Sequence, residues 1–461
     1  MYSNSFLRYV AIASLALASI YFNWRTVTKL RSKTQKTVNS NQVILPGNYY
    51  SVKIPPTNKN PYLSSKYRVW IPADIERVRG VLVKQHGCGN DAAAAGLDHA
   101  RDLQWQALAS KHQFALMGTQ LSVAEGGRCE DFALINYGSK DMFFRALKSV
   151  AEQSQRDEIN SVPWVLWGHS GGADWAAQML QEYPDRTIAM VGLRGGGFTF
   201  LGVEGQLAEI PVMFGLGQED TINPYETKEL PRTIFVRYRQ LDGLWSLATE
   251  VDAAHETASS RWLAIPYLDA LITMRLAKNS NKILKIDPAE GWLGNIVTHK
   301  IASVNKYEGD PLEAAWLPNE EVAQKWQEYV TLGEVSPTRK PKAPSDVRIR
   351  QAGPEEVVIT WNYTPDLENG LPSFRIYRDN SLVTIFEGQS HGFNDNPKPS
   401  QVTLKFRDRE ASTKSVYRVA AFNKLGESIS LPISYNKKTG RQGMRKGGDG
   451  EIRGDGDTVT R

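Results

Sequence analysis

The chain has 461 residues, 41% hydrophobic and 23% charged, a composition that excludes a disordered or fibrous protein. That length exceeds one ordinary core and predicts two or three domains. Its 55 Lys and Arg against 50 Asp and Glu give a formal net charge of +5, but the basic residues are spread along the chain and gathered at its ends, which reads as solvated surface with basic tails and excludes a nucleic-acid groove.

The N-terminus predicts export. Arg8 precedes an apolar stretch over 9–20 in which Ala16, Leu17 and Ala18 form the small-residue pattern that signal peptidase cuts. The stretch is shorter than the roughly 20 residues of a spanning helix, so 1–24 is read as a signal peptide of a secreted or periplasmic protein. Tyr21, Phe22 and Trp24 prolong the apolar run before Arg25, which keeps an uncleaved anchor, with the protein membrane-bound and facing outside the cytoplasm, as the alternative. Residues 25–48 are basic and polar, as in a spacer.

From 49 to about 277 the pattern alternates. Strands are expected at 67–71, 80–84, 114–118, 162–167, 187–193, 211–215 and 245–250, and helices at 98–111, 140–153 and 173–181. Strand, helix, strand in succession predicts an α/β domain, a mostly parallel sheet with helices on both faces. Residues 280–335 carry Trp292, Trp316 and Trp326, read as packing an extension onto that core rather than as a substrate platform. The domain therefore runs 49–335, and the Pro- and Lys-rich 336–344 is a linker.

Beyond the linker the chain changes class. Short runs at 357–361, 374–378, 382–385, 402–406, 416–422 and 428–431, separated by turn residues, predict an all-β sandwich over 345–436. Trp361, Tyr377 and the run from Tyr417 through Asn423 into Gly426 resemble a fibronectin type III domain. The segment 387–400 is longer than that resemblance implies. Residues 437–461, rich in Gly, Arg, Lys and Asp, are expected to be disordered.

The chemistry centres on Gly168, His169, Ser170, Gly171 and Gly172, between the apolar run 162–167 and an amphipathic stretch. A serine flanked by glycines at a strand-to-helix turn is a nucleophile elbow, where a sharp backbone turn excludes side chains. A serine hydroxyl needs a histidine to take its proton, and the histidine needs a carboxylate to hold its tautomer. Both should follow in the order acid, then His, each just after a strand. Asp220 follows the strand at 211–215, with its neighbour Glu219 as the reserve, and His255 follows the strand at 245–250. The catalytic residues are thus Ser170, Asp220 and His255.

One oxyanion donor is the N–H of Gly171, the residue after the nucleophile. Gln85-His86-Gly87-Cys88 resembles the oxyanion loop of esterases, which implies the N–H of Cys88 as the second donor and a loop-orienting role for His86. Two cysteines in an exported chain are ordinarily bonded, and Cys88 and Cys129 follow strands expected to be neighbours, so a disulfide between two loops of the active face is predicted. Seven scattered histidines and the absence of Cys-x-x-Cys predict no metal, and no cofactor is expected. Arg194-Gly195-Gly196-Gly197 lacks the Lys-Ser/Thr ending of a phosphate loop and is read as shaping a loop near the site.

These features together resemble the α/β-hydrolase superfamily, and the Gly-x-x-Asp-x-x-x-Pro turn at Asp220 is similar to its acid loop. The His-Gly-Cys loop, with Cys129 preceding Glu130, Asp131 and Phe132, more narrowly resembles secreted esterases related to polyhydroxybutyrate depolymerases and feruloyl or acetylxylan esterases. The elbow is closer to lipase-like and peptidase-like members. The resemblance implies an exported serine hydrolase acting on an ester-containing small molecule or polymer. It also implies a C-terminal module, separable from the chemistry, that docks the enzyme to a surface or polysaccharide. A serine peptidase on the same fold and a non-catalytic surface binding protein are the alternative readings.

Overall fold

The computed structural model describes residues 45–57, 62–123, 127–197, 205–398, 402–412 and 414–434. The signal segment, most of the spacer and the C-terminal tail lie outside the described residues. Among the described residues no helix is long and apolar enough to cross a membrane.

Eight strands form the main sheet: β1 (Gly47–Ile54), β2 (Tyr62–Pro72), β3 (Gly80–Gln85), β4 (Phe114–Val123), β5 (Trp164–His169), β6 (Thr187–Leu193), β7 (Val212–Gly217) and β8 (Trp245–Glu250). Their order is β1-β2-β4-β3-β5-β6-β7-β8. β2 is antiparallel to β1 and β4, and the remaining pairs are parallel. The sheet is therefore mostly parallel, with an antiparallel edge at β1 and β2. Strands β3, β5, β6 and β7 are buried along their whole length, which is why they read as mostly apolar runs.

Alternation along the strands divides two cores. Val81, Val83 and Leu166 face one core with Phe143 and Leu147 of α2 (Ser139–Ser154), Trp175 and Met179 of α3 (Gly171–Glu182), and Ile234 of α4 (Leu230–Arg239). Leu82, Val165 and Trp167 face the other, with Trp105 of α1 (Leu103–His112), Leu268 of α5 (Arg261–Arg275) and Trp326 of α6 (Glu320–Leu332). The helix expected over 98–111 is broken. Asp102 takes extended backbone and caps α1, its side chain accepting from the N–H groups of Gln104 and Trp105, while Leu97–Arg101 forms a separate 3-10 turn.

The extension folds as a small sheet of β9 (Trp292–Asn295), β10 (Ile301–Ser303) and β11 (Ala314–Leu317), followed by α6. Trp316 and Trp326 are buried. Trp326 Nε1 donates to the Leu247 carbonyl of β8 at 2.9 Å, which makes its role packing.

The C-terminal part is β-rich. β12 (Ser345–Gly353), β13 (Glu356–Asn362) and β18 (Lys405–Asp408) form one sheet; β14 (Ser373–Arg378), β15 (Ser381–Phe386), β19 (Val416–Asn423), β20 (Gly426–Ile429) and β21 (Ile433–Ser434) form another. Trp361, Phe374, Ile376, Tyr417 and Val419 share its core. Between β15 and β18 the overlong segment makes a two-rung hairpin, β16 (Ser390–His391) with β17 (Pro397–Lys398).

The C-terminal part is bonded directly to the first domain. Leu103 of α1 lies in the C-terminal core beside Trp361. Its N–H donates to Gln389 Oε1 at 2.7 Å, Gln389 Nε2 returns to the Arg101 carbonyl at 3.2 Å, and Gln104 Nε2 donates to the Leu367 carbonyl at 2.8 Å. Hydrogen bonds and apolar contacts cross the boundary together, because the long segment reaches the first domain instead of closing on its own sheets.

Candidate active site

Ser170 follows β5 immediately and precedes α3. Its φ of 54° and ψ of −128° lie where side chains are strained, at a cost of about 1 to 3 kcal/mol. Neighbours hold it there. Its N–H donates to the Leu193 carbonyl of β6 at 2.8 Å, and its carbonyl accepts from the Ala173 N–H at 2.7 Å. The adjacent glycines are steric necessities: a Cβ on Gly168 would stand 2.1 Å from the Gly172 carbonyl oxygen, and one on Gly171 would stand 2.2 Å from Cys129 Sγ.

Three side chains from three loops meet at the turn. Ser170 Oγ lies 2.9 Å from His255 Nε2, and His255 Nδ1 lies 2.8 Å from Asp220 Oδ2. Asp220 is fully buried, while the His255 side chain is 11% exposed. With Nδ1–H donating to the carboxylate, Nε2 is left to accept from the serine hydroxyl. The other oxygen, Asp220 Oδ1, accepts from the Ile222 N–H at 2.9 Å, which fixes the carboxylate's orientation. Glu219 is exposed and joins the site only through its N–H, which donates to the Ala253 carbonyl.

Cys88 and Cys129 are disulfide-bonded, with Cα atoms 5.2 Å apart. The bridge lies against Gly171, and Cys88 Sγ is 3.9 Å from Ser170 Oγ. Cys88 and Gly171, the two candidate oxyanion donors, are therefore neighbours of the hydroxyl, and Gly171 opens a helix whose first N–H groups lack intrahelical acceptors. His86 is buried. Its Nε2 accepts from the Leu121 N–H at 2.9 Å, so Nδ1–H donates to the Gly87 carbonyl at 2.6 Å. Burial pushes its pKa down to about 4. It orients the loop as a neutral ring.

Two supports of the histidine loop escaped the sequence reading. His169 Nε2–H donates to the His255 carbonyl at 2.5 Å, and burial, then neighbouring His255, pushes its pKa down to about 3. Arg194 is fully buried. Its Nε donates to the Ala254 carbonyl at 3.0 Å and its Nη2 to Glu250 Oε2 at 2.6 Å, an oxygen that also accepts from Tyr329. The glycine run beside it serves the elbow: the Gly196 N–H donates to Asp174 Oδ1 of α3 at 3.0 Å. A Cβ on Gly195 would meet the Ser170 carbonyl oxygen at 2.8 Å. Burial pushes the Asp174 carboxyl up to about 7.

Beneath the sheet's active edge lies a buried charge cluster. Lys84 Nζ donates to Asp395 Oδ2 at 2.6 Å and stands 4.2 and 4.3 Å from the ring centres of Trp105 and Trp167. Arg261 donates through Nε to Asp395 Oδ1 at 2.6 Å and through Nη2 to Asp102 Oδ2 at 2.5 Å. Burial pushes the Lys84 ammonium down to about 8 against the pull of Asp395. Burial opposes the charge on Asp395 as well, but Arg261 and Lys84 hold that carboxyl down at about 2.

Among the described residues, Asp102, His391 and Asp395 are the one group with ligand atoms close enough to hold a metal ion. Arg261 already supplies the positive charge there, which disfavours a second cation. A cavity of ≈ 680 Å³ lies elsewhere, between α5, α6 and the C-terminal sheets, lined by Trp262, Asp269, Lys325, Glu368 and Asn423. None of Ser170, Asp220 and His255 lines it.

No protein-family model and no curated protein matches the chain. Among solved structures, it is similar to a ferulic acid esterase at 10% identity and a TM-score of 0.37, over 49% of this chain and 99% of that one. A cold-adapted esterase from an Arctic intertidal metagenomic library is similar at 14% identity and a TM-score of 0.34, over 51% and 98%. An S-formylglutathione hydrolase from Agrobacterium tumefaciens is similar at 13% identity and a TM-score of 0.33, over 47% and 91%. At these identities and scores, a functional reading rests on the site's own geometry.

Proposed function

We propose that the protein is a serine hydrolase that cleaves carboxylic esters through an acyl-enzyme on Ser170. The observation that carries this reading is the Ser170–His255–Asp220 hydrogen-bond chain, at 2.9 and 2.8 Å, on a strained turn at the head of a helix. His255 Nε2 takes the hydroxyl proton as Oγ bonds to the ester carbonyl carbon, and it returns that proton to the alcohol oxygen as the C–O bond breaks. Water then adds with the same proton relay and releases the acid and free serine. Asp220 stabilises the imidazolium, and the N–H groups of Cys88 and Gly171 receive the negative oxygen. An export origin is part of the proposal, supported by the apolar N-terminal stretch and the cysteine pair. So is a fibronectin type III identity for the C-terminal sheets, supported by Trp361, Tyr377 and Tyr417.

The test is labelling by a fluorophosphonate together with a panel of esters and peptides. Wild-type protein is expected to label and to turn over esters, and Ser170→Ala to do neither while keeping its thermal unfolding temperature. Undiminished labelling of Ser170→Ala overturns the assignment, and turnover of peptides alone converts the reading to a peptidase.

A further inference from the structure

The hairpin tip between β16 and β17 brings one exposed aromatic ring to the catalytic histidine. Asn394, Asp395 and Asn396 are buried, whereas Phe393 between them and solvent is 55% exposed. Its ring meets the His169 ring edge-on at 5.5 Å and lies 6.5 Å from the His255 ring. The Phe393 carbonyl accepts from the Thr257 N–H at 3.0 Å and from Thr257 Oγ1 at 2.9 Å, two residues past the proposed base. The tip is fixed from below. Asp395 accepts from Lys84, from Arg261 and from Trp105 Nε1 at 2.7 Å, and His99 Nε2 donates to the Asn394 carbonyl at 2.8 Å.

A phenyl ring left in water on a rigid, otherwise buried tip is unused apolar surface beside reacting atoms. Its side of the site follows from the chemistry. The carbonyl oxygen must face the N–H groups of Cys88 and Gly171, and the departing oxygen must reach His255 Nε2 for its proton, so the alcohol portion of the ester lies over the histidine. Phe393 stands on that side.

We propose that Phe393 is a substrate-contacting specificity residue that packs against the alcohol portion of the ester, favouring apolar alcohols. The C-terminal sheets thereby supply one wall of the site. This rests on the serine-hydrolase reading.

The test compares full-length wild type, Phe393→Ala and Phe393→Leu on two ester series, acetates of methanol and of benzyl alcohol, and methyl esters of lengthening acids. For Phe393→Ala, kcat/KM on benzyl acetate is expected to fall on the order of tenfold more than on methyl acetate. Phe393→Leu should recover most of that difference, and the variant-to-wild-type ratio should not track acid length. A ratio equal for both alcohols, or one that tracks acid length, overturns the role of Phe393 while the hydrolase reading stands. Wild-type protein that neither labels with fluorophosphonate nor turns over any ester overturns both.

Discussion

Lys84, in the middle of the sheet, and Asp395, on a hairpin of the C-terminal sheets, form a salt bridge of 2.6 Å between side chains that are 0 and 3% exposed. Asp395 also pairs with Arg261, so one carboxylate serves two buried cations. Removing it leaves Lys84 without a carboxylate and Arg261 with Asp102 alone. Asp395→Ala is expected to lower stability by about 3 to 5 kcal/mol, the scale for breaking a buried pair, as read from urea unfolding. Truncation near Ser336 should likewise cost activity even on a small soluble ester; a truncated protein that unfolds and turns over like the full chain contradicts both expectations.

On the proposed mechanism the acid is Asp220, whose carboxylate meets His255 Nδ1 at 2.8 Å, and not Glu219. Asp220→Asn is expected to lower kcat by roughly 10⁴-fold, because the amide favours the wrong histidine tautomer. Glu219→Gln, on an exposed side chain, should stay within a few-fold of wild type. Steady-state kinetics of the two variants, with circular dichroism to verify folding, decide it, and the opposite ranking would move the role to Glu219.

The Cys88–Cys129 bond closes a sequence separation of 41 residues, for which the loop-entropy relation gives about 4 kcal/mol of stabilisation. Cys129→Ser should lose stability on that scale and also loosen the loop that carries the Cys88 N–H, so activity falls with it. Titration of unfolded, unreduced wild-type protein should find no free thiol.

Acid should weaken the fold through three histidines. Burial is the main force that pushes His86 down to about 4 and His99 and His169 down to about 3; Lys84 adds to it at His99 and His255 at His169. Unfolded, each titrates near 6.5, so between those values the unfolded chain binds more protons. Stability is complete above about 6.5 and declines as the pH falls toward the folded values. Urea midpoints measured from pH 7 to 4.5 should decrease steadily; a flat series contradicts the neutral, buried assignment.

What the sequence made legible was local. Ser170 with its glycines, the apolar strand before it, and the order of Asp220 and His255 are short-range patterns, and the strands they follow were apolar because they are buried on both faces. The hairpin was not legible, because its partners are distant and periodicity carries no information about contacts between separate segments. Two signals pointed to it. Lys84 interrupts an apolar strand and Arg261 opens an apolar helix, and a charge in such an element requires a partner from somewhere. The overlong segment 387–400, rich in Asn and Asp, was that somewhere. His169 was hidden differently: it occupies the variable position of the elbow, where the pattern assigns no role.

The docked hairpin also sets an order in time. Lys84 leaves the ribosome 311 residues ahead of Asp395, and at about 5 to 20 residues per second that is an interval of roughly 15 to 60 s. Throughout it the elbow and the histidine have been synthesised while two cations beneath them lack their shared carboxylate. The nascent chain therefore holds Ser170 and His255 before the support beneath them is complete, and the Lys84–Asp395 pair closes only once the β16–β17 hairpin has been made.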